Sequence, residues 1–151
     1  MDFSFLGEFR IIPHLTVLAI AYVLALPIGW DREKEERSAG LRTFPLVALA
    51  SCGFVQASES LTQQSPEAMA RIVEGLITGV GFIGGGAILK LGSAVRGTAT
   101  AAALWATGAI GAAVGLGTYD VAVTIAVFTF LTLKVLSPLK QEAKSQDAKD
   151  P

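Results

Sequence analysis

Two groups of residues in this chain have the types and spacing to do chemistry. The first is Asp31, Arg32, Glu33, Arg37, Gly40, Arg42 and Thr43 within DREKEERSAGLRT, and the second is Arg96, Gly97 and Thr98 within AVRGT. In each, an arginine stands just ahead of an apolar run that reads as a helix. A helix amino terminus presents unsatisfied N–H groups and a partial positive charge, and a neighbouring guanidinium adds a forked donor. Arg42 with Thr43, and Arg96 with Gly97 and Thr98, are therefore candidate anion sites. The anion could be a lipid headgroup phosphate, a nucleotide, or a carboxylate of the same chain (Asp31, Glu33 or Glu36). The last would lock the first loop against the third.

Carboxylates are the other chemistry to seek. A magnesium ion wants six oxygens in a near-octahedral shell, one or two of them from carboxylates. Asp31 and Glu74 are the candidate metal ligands, and Glu74 is the only acidic residue inside an apolar run away from its ends. An ion pair with Arg71, three positions earlier on the same helix, is the alternative reading of Glu74. No nucleophile with a base, no metal-ligand cluster and no phosphate loop occurs, so neither an enzyme nor a cofactor is expected. Gly79, Gly81 and Gly84 spell G-x-G-x-x-G, but no strand precedes them and no acidic residue follows at the required distance.

The elements that must position these residues are set by composition. Hydrophobic residues make up 52% of the 151, with sixteen glycines, and the mean hydropathy is +0.54. Charge is confined to islands, and eight charged residues fall between Asp31 and Thr43. That switch is the mark of a membrane chain, because hydrocarbon excludes charge and concentrates it in connecting loops. Five candidate spans lie near 11–30, 44–60, 72–91, 98–116 and 119–137. Each is set against the roughly 20 residues needed to cross about 30 Å of hydrocarbon, and each must be helical because lipid gives the backbone no partners. Asp2 and Glu8 stand where a signal peptide would be basic, so the first span is expected to stay uncleaved.

Start signals agree. Thr43 and Pro45 open the second helix, Ser65, Pro66 and Glu67 the third, and Asp120 the fifth. A third helix from Pro66 to Leu91 would be about 39 Å long, leaving Glu67 and Arg71 outside the membrane. Pro27 should kink the first helix one turn before the charged loop. His14 reads as an interfacial residue, Cys52 as a small packing residue, and Trp105 as packed between helices.

Orientation follows from the loop lysines and arginines. Arg32, Lys34, Arg37 and Arg42 lie in the first loop, Lys90 and Arg96 in the third, and Lys134, Lys140, Lys144 and Lys149 at the carboxyl end; only Arg10 and Arg71 fall on the other side. The amino terminus is therefore expected outside and the carboxyl terminus in the cytoplasm. Residues 1–138 read as one transmembrane domain, and 139–151 as a disordered cytoplasmic tail with no apolar face. The lone Cys52 excludes an intramolecular disulfide. The bilayer is the expected environment, and no nucleic-acid partner is expected.

The glycines predict helix contacts. Glu74, Thr78, Gly81 and Gly85 share a stripe at helical spacing, flanked by Gly75, Gly79 and Gly86, and Gly111 and Gly115 repeat the pattern in the fourth span. Small residues let backbones approach in lipid. The third and fourth helices are therefore expected face to face, and Gly81→Leu or Gly85→Leu should harm folding more than Leu76→Ala.

GWDREKEERSAGLRTFPLVAL resembles the first cytoplasmic loop of the MgtC/SapB membrane-protein family. TGVGFIGGGAIL followed by VRGTATAAALWATGAIGAAVGLG resembles that family's second block, and together they cover most of residues 29–117. Asp31 stands where the family usually has Glu, and Leu91 where it often has an acidic residue. Some relatives add a soluble carboxyl-terminal domain, and none is expected within these 151 residues. The resemblance implies an all-α polytopic bundle of about five transmembrane helices in a bacterial inner membrane. It also implies adaptation to magnesium limitation, acid or life inside host cells. The expected role is regulation of other membrane proteins, with a protein partner in the membrane and homo-oligomerisation as options. Magnesium or other cation transport is the alternative.

Overall fold

The computed structural model describes residues 11–35, 39–59, 65–91 and 94–147. Among them, five helices run in the order α1 (Ile11–Lys34), α2 (Thr43–Ala57), α3 (Pro66–Gly86), α4 (Thr98–Gly115) and α5 (Tyr119–Asp147). Between α3 and α4 lies an antiparallel hairpin of β1 (Leu89–Leu91) and β2 (Ala94–Arg96). The all-α expectation therefore holds, with helices α1, α3, α4 and the Tyr119–Leu136 part of α5 long and apolar enough to cross a membrane. Helix α2 has 15 residues, about 22 Å at 1.5 Å per residue.

Three boundaries differ from the sequence expectation. Helix α1 passes through Pro27 and continues to Lys34, so Asp31, Arg32 and Glu33 occupy its last turn rather than a loop. Helix α3 stops at Gly86, five residues before Leu91, after a run of three glycines that are poor helix formers. The hairpin takes the place of its last turn. A strand pair with open edges has no hydrogen-bond partners in hydrocarbon, so the hairpin belongs outside it. Helix α5 runs on to Asp147 through the segment expected to be a disordered tail; Lys, Gln, Glu and Ala are good helix formers and need no apolar face to be helical.

Helix α4 is the hub, packing against the other four helices. Its glycines set the distances. A Cβ on Gly108 would lie 2.8 Å from Val80 Cγ2 of α3; one on Gly115, 2.8 Å from Val55 Cβ of α2; one on Gly111 would run into the Ala48 carbonyl oxygen of α2. Gly84 of α3 in turn faces the Ala101 carbonyl of α4, at 3.1 Å from an added Cβ. Helices α3 and α4 do pack together, through Gly84 and Gly108. Gly111 and Gly115 face α2 instead.

The pairings also fix directions. Gly111 lies by Ala48 and Ser51, and Gly115 by Cys52 and Val55, so α2 and α4 run parallel. Helices α1 and α2 are antiparallel, with Gly29 against Phe44 at one end and His14 Nδ1 paired with Gln56 Oε1 at 3.2 Å at the other. The end of α1, the starts of α2 and α4, and the hairpin therefore share one end of the bundle. Cys52 is fully buried, whereas Trp105, expected between helices, is 52% exposed; it lines a shallow groove of about 300 Å³ beside α3 and α5.

Candidate functional site

The shared end gathers the residues singled out by chemistry. Along α1, Ala21, Ala25, Ile28 and Arg32 fall at helical spacing, and all are buried; Arg32 is the largest fully buried side chain. Its Nε donates to Asp31 Oδ2 at 3.1 Å, and its Nη2 pairs with the same oxygen. Asp31 is itself 8% exposed. A carboxylate and a guanidinium withdrawn together from water hold one another's charge.

One residue further on, the exposed Glu33 reaches across the connection. Its Oε2 accepts from the backbone N–H of Leu41 at 3.0 Å, and a Cβ on Gly40 would collide with that oxygen. Gly29 admits the same turn from below, with an added Cβ 3.3 Å from the Gly40 carbonyl oxygen and from Leu41 Cα. The two glycines are thus needed for close approach, and Glu33 ties the end of α1 to the start of α2. Lys34 adds a cation–π contact, its Nζ 5.2 Å from the centre of the Trp30 ring.

The amino terminus of α2 is less open to an anion than its sequence predicts. The Thr43 and Phe44 N–H groups both donate to the Gly40 carbonyl, at 3.0 and 3.2 Å, and Pro45 has no N–H. Arg42 precedes the helix as its capping residue and is exposed. It does not clamp Asp31, whose partner is Arg32, and it forms no ion pair among the described residues. Arg37 and Glu36 lie outside the described residues.

At the start of α4, Arg96 ends β2 and is exposed, as is Thr98. Gly97 caps the helix with φ +90°, and a Cβ there would run into the Ala87 carbonyl oxygen, so both its conformation and its position require glycine. Its carbonyl accepts from the Ala101 N–H at 2.8 Å. Arg96 likewise forms no ion pair among the described residues. The structure thus brings the two arginine motifs to the same end without joining them through either guanidinium.

Glu74 sits elsewhere, on the exposed face of α3, and does not pair with Arg71. No group of three or more metal-ligating side chains occurs among the described residues. The glycine stripe of α3 also faces away from the bundle: added Cβ atoms on Gly75, Gly79, Gly81 and Gly85 would meet nothing within 4 Å. Glu67, Arg71, Glu74, Thr78, Gly81 and Gly85 form one exposed face, polar and glycine-lined apart from the exposed Phe82 ring. Gly75 and Gly79 instead line a groove of about 880 Å³ between α2 and α3, with Arg42 and Thr43 at its polar end. The sequence reading missed this groove, because it assigned those glycines to a packed interface.

Comparison with known proteins places these features in a wider set. The sequence pattern of the MgtC family matches residues 18–142. The chain is 36% identical to Protein SrpB of Synechococcus elongatus over 138 residues, covering 83% of this chain and 76% of the relative. It is 38% identical to Protein MgtC of Brucella abortus over 129 residues, covering 85% of this chain and 53% of that one. With Protein MgtC of Salmonella typhimurium it shares 39% identity over 107 residues, 71% of this chain and 45% of that one. The chain thus spans about half the length of the MgtC proteins it matches. No solved structure matches it.

Proposed function

The chain belongs to the MgtC family, and on that premise we propose that this multi-pass membrane protein regulates other membrane proteins in the bacterial inner membrane during stress adaptation. The stresses in view are those the family resemblance implies: magnesium limitation, acid and intracellular survival. No catalytic step is assigned to it.

The observation that carries the reading is the outward face of α3. A helix of 21 residues, about 31 Å long, matches the roughly 30 Å of hydrocarbon. Yet most of its apolar residues face the bundle or the grooves beside it, while Arg71, Glu74, Thr78, Gly81 and Gly85 face out, with Phe82 among them at 85% exposed. Ionisable side chains in a span normally face a protein interior or water, because exposure to lipid costs several kcal/mol. Glycines without side chains beside them let another helix come close. A partner helix would satisfy both.

A photo-crosslinking residue placed at Thr78 is expected to capture a discrete membrane protein from native membranes, whereas the same residue at Phe128, exposed on α5, captures none. Equal patterns at the two sites would remove the support for this face. The transport reading rests on Glu74 as a carboxylate within a span. Purified chain in liposomes is expected to move no Mg²⁺; flux that Glu74→Gln abolishes would make cation transport the function.

The orientation belongs to the same proposal. With Cys52→Ser as background, a cysteine at Glu67 is expected to react with an impermeant maleimide in intact cells, and one at Lys34 only after lysis. Reversed labelling would place the arginine-rich end outside.

A further inference from the structure

The groove between α2 and α3 has a feature that the outward face of α3 lacks. It is apolar along its length, with Leu46, Ala50 and Phe54 on one wall and Leu76 and Gly79 on the other, and it carries a cation at one end. We propose that it holds one anionic glycerophospholipid, with the phosphate at Arg42 and the acyl chains lying along α2 toward Ser58. This goes beyond the regulatory reading and does not depend on it.

The charge at the mouth selects the headgroup. Arg42 is exposed and forms no ion pair among the described residues. The neighbouring N–H groups of Thr43 and Phe44 are already used by Gly40. The guanidinium is therefore the charged donor left for an anion, and its fork suits phosphate oxygens.

Dimensions select the rest of the ligand. From Arg42 to Ser58 the groove follows sixteen residues of helix and turn, about 24 Å at 1.5 Å per residue. One leaflet, half of a bilayer of 40 to 45 Å with headgroups, is about 20 to 22 Å deep. A polymethylene chain has no side chains and can follow an apolar floor of this length. The floor is open for it, since nothing lies within 4 Å of where a Cβ on Gly75 or Gly79 would be.

The test uses the full chain, purified in detergent and stripped of lipid, then titrated with dioleoylphosphatidylglycerol, dioleoylphosphatidylcholine or inorganic phosphate. Native mass spectrometry and thermal melting are the readouts. The expected result is one phosphatidylglycerol retained per chain with a rise in Tm, phosphatidylcholine, whose choline offsets the charge of the same phosphate, about fivefold weaker, and no rise with inorganic phosphate. Arg42→Gln should weaken both lipids and remove the preference for phosphatidylglycerol. Gly79→Phe, whose ring enters the groove without meeting the fold, should abolish retention while leaving a cooperative melt, and it decides the matter if Arg42→Gln does not fold. Equal retention of the two lipids, undiminished retention in Gly79→Phe, or a Tm rise with inorganic phosphate matching that with lipid would overturn the proposal. So would a dimer in the mass spectrum that Gly79→Phe splits, which would make the groove an interface between two copies.

Discussion

Asp31→Ala is expected to be among the most damaging single substitutions in this chain, destabilising it by about 3 to 5 kcal/mol. The reason is Arg32, which is 1% exposed and has Asp31 as its ion-pair partner. Removing the carboxylate leaves a guanidinium withdrawn from water with no other ion-pair partner among the described residues. For a chain of this size the loss corresponds to a drop of about 6 to 20 °C in Tm. Adding Arg32→Met to Asp31→Ala removes the stranded charge as well, and the double variant should recover most of the melting temperature. Additive losses in the two singles and the double would show that the pair is not a unit. Arg42→Ala supplies the contrast: its side chain is exposed and unpaired among the described residues, so its melt should stay near that of the parent.

Gly111→Leu should be similarly severe, and for a steric reason. A Cβ there already runs into the Ala48 carbonyl, and Ser51 Cβ lies 2.8 Å away, so the three further heavy atoms of leucine must push α2 off α4. Overpacking in a close-packed interior costs about 1 to 3 kcal/mol, and here the obstacle is backbone that cannot change rotamer. Gly81→Leu enters open space and should fold as the parent does. Leu76→Ala, which removes a side chain packed on the core, should fall between them. Folded yield and detergent melting of the three variants read this directly. A Gly81→Leu chain as damaged as Gly111→Leu would mean that the face of α3 is packed inside the folded protein.

That ordering reverses the one expected from the glycine stripe, and the reversal shows what the sequence makes legible. Alternation of apolar runs with charged islands located the helices, because hydrocarbon imposes the same rule on every span. Spacing of small residues located surfaces of close approach but not their partners: Gly81 and Gly111 sit in similar small-xxx-small patterns, and one faces outward while the other faces α2. Three-dimensional neighbours decide that, and one helix's periodicity does not hold them. Other misses did have a signal. Continuing the buried stripe of α1 from Ala21, Ala25 and Ile28 by four residues lands on Arg32, so the charged island begins inside the fold. The segment L-K-L-G-S-A-V-R carries a two-residue Gly-Ser hairpin signal between apolar positions, overlooked because the region was read as the end of a span. The surroundings of Arg42 were half legible: the arginine could be read, but the Gly40 carbonyl that occupies the backbone donors beside it could not.

The glycines of this bundle also divide its capacity for change. Those at 84, 108, 111 and 115 are enclosed by other helices, and altering any of them disturbs how the chain folds. Those at 75, 79, 81 and 85 border open space, so larger side chains can be introduced there without touching the interior. The open face of α3 can thus be remodelled almost independently of how the bundle holds itself together, with α4 as the fixed axle.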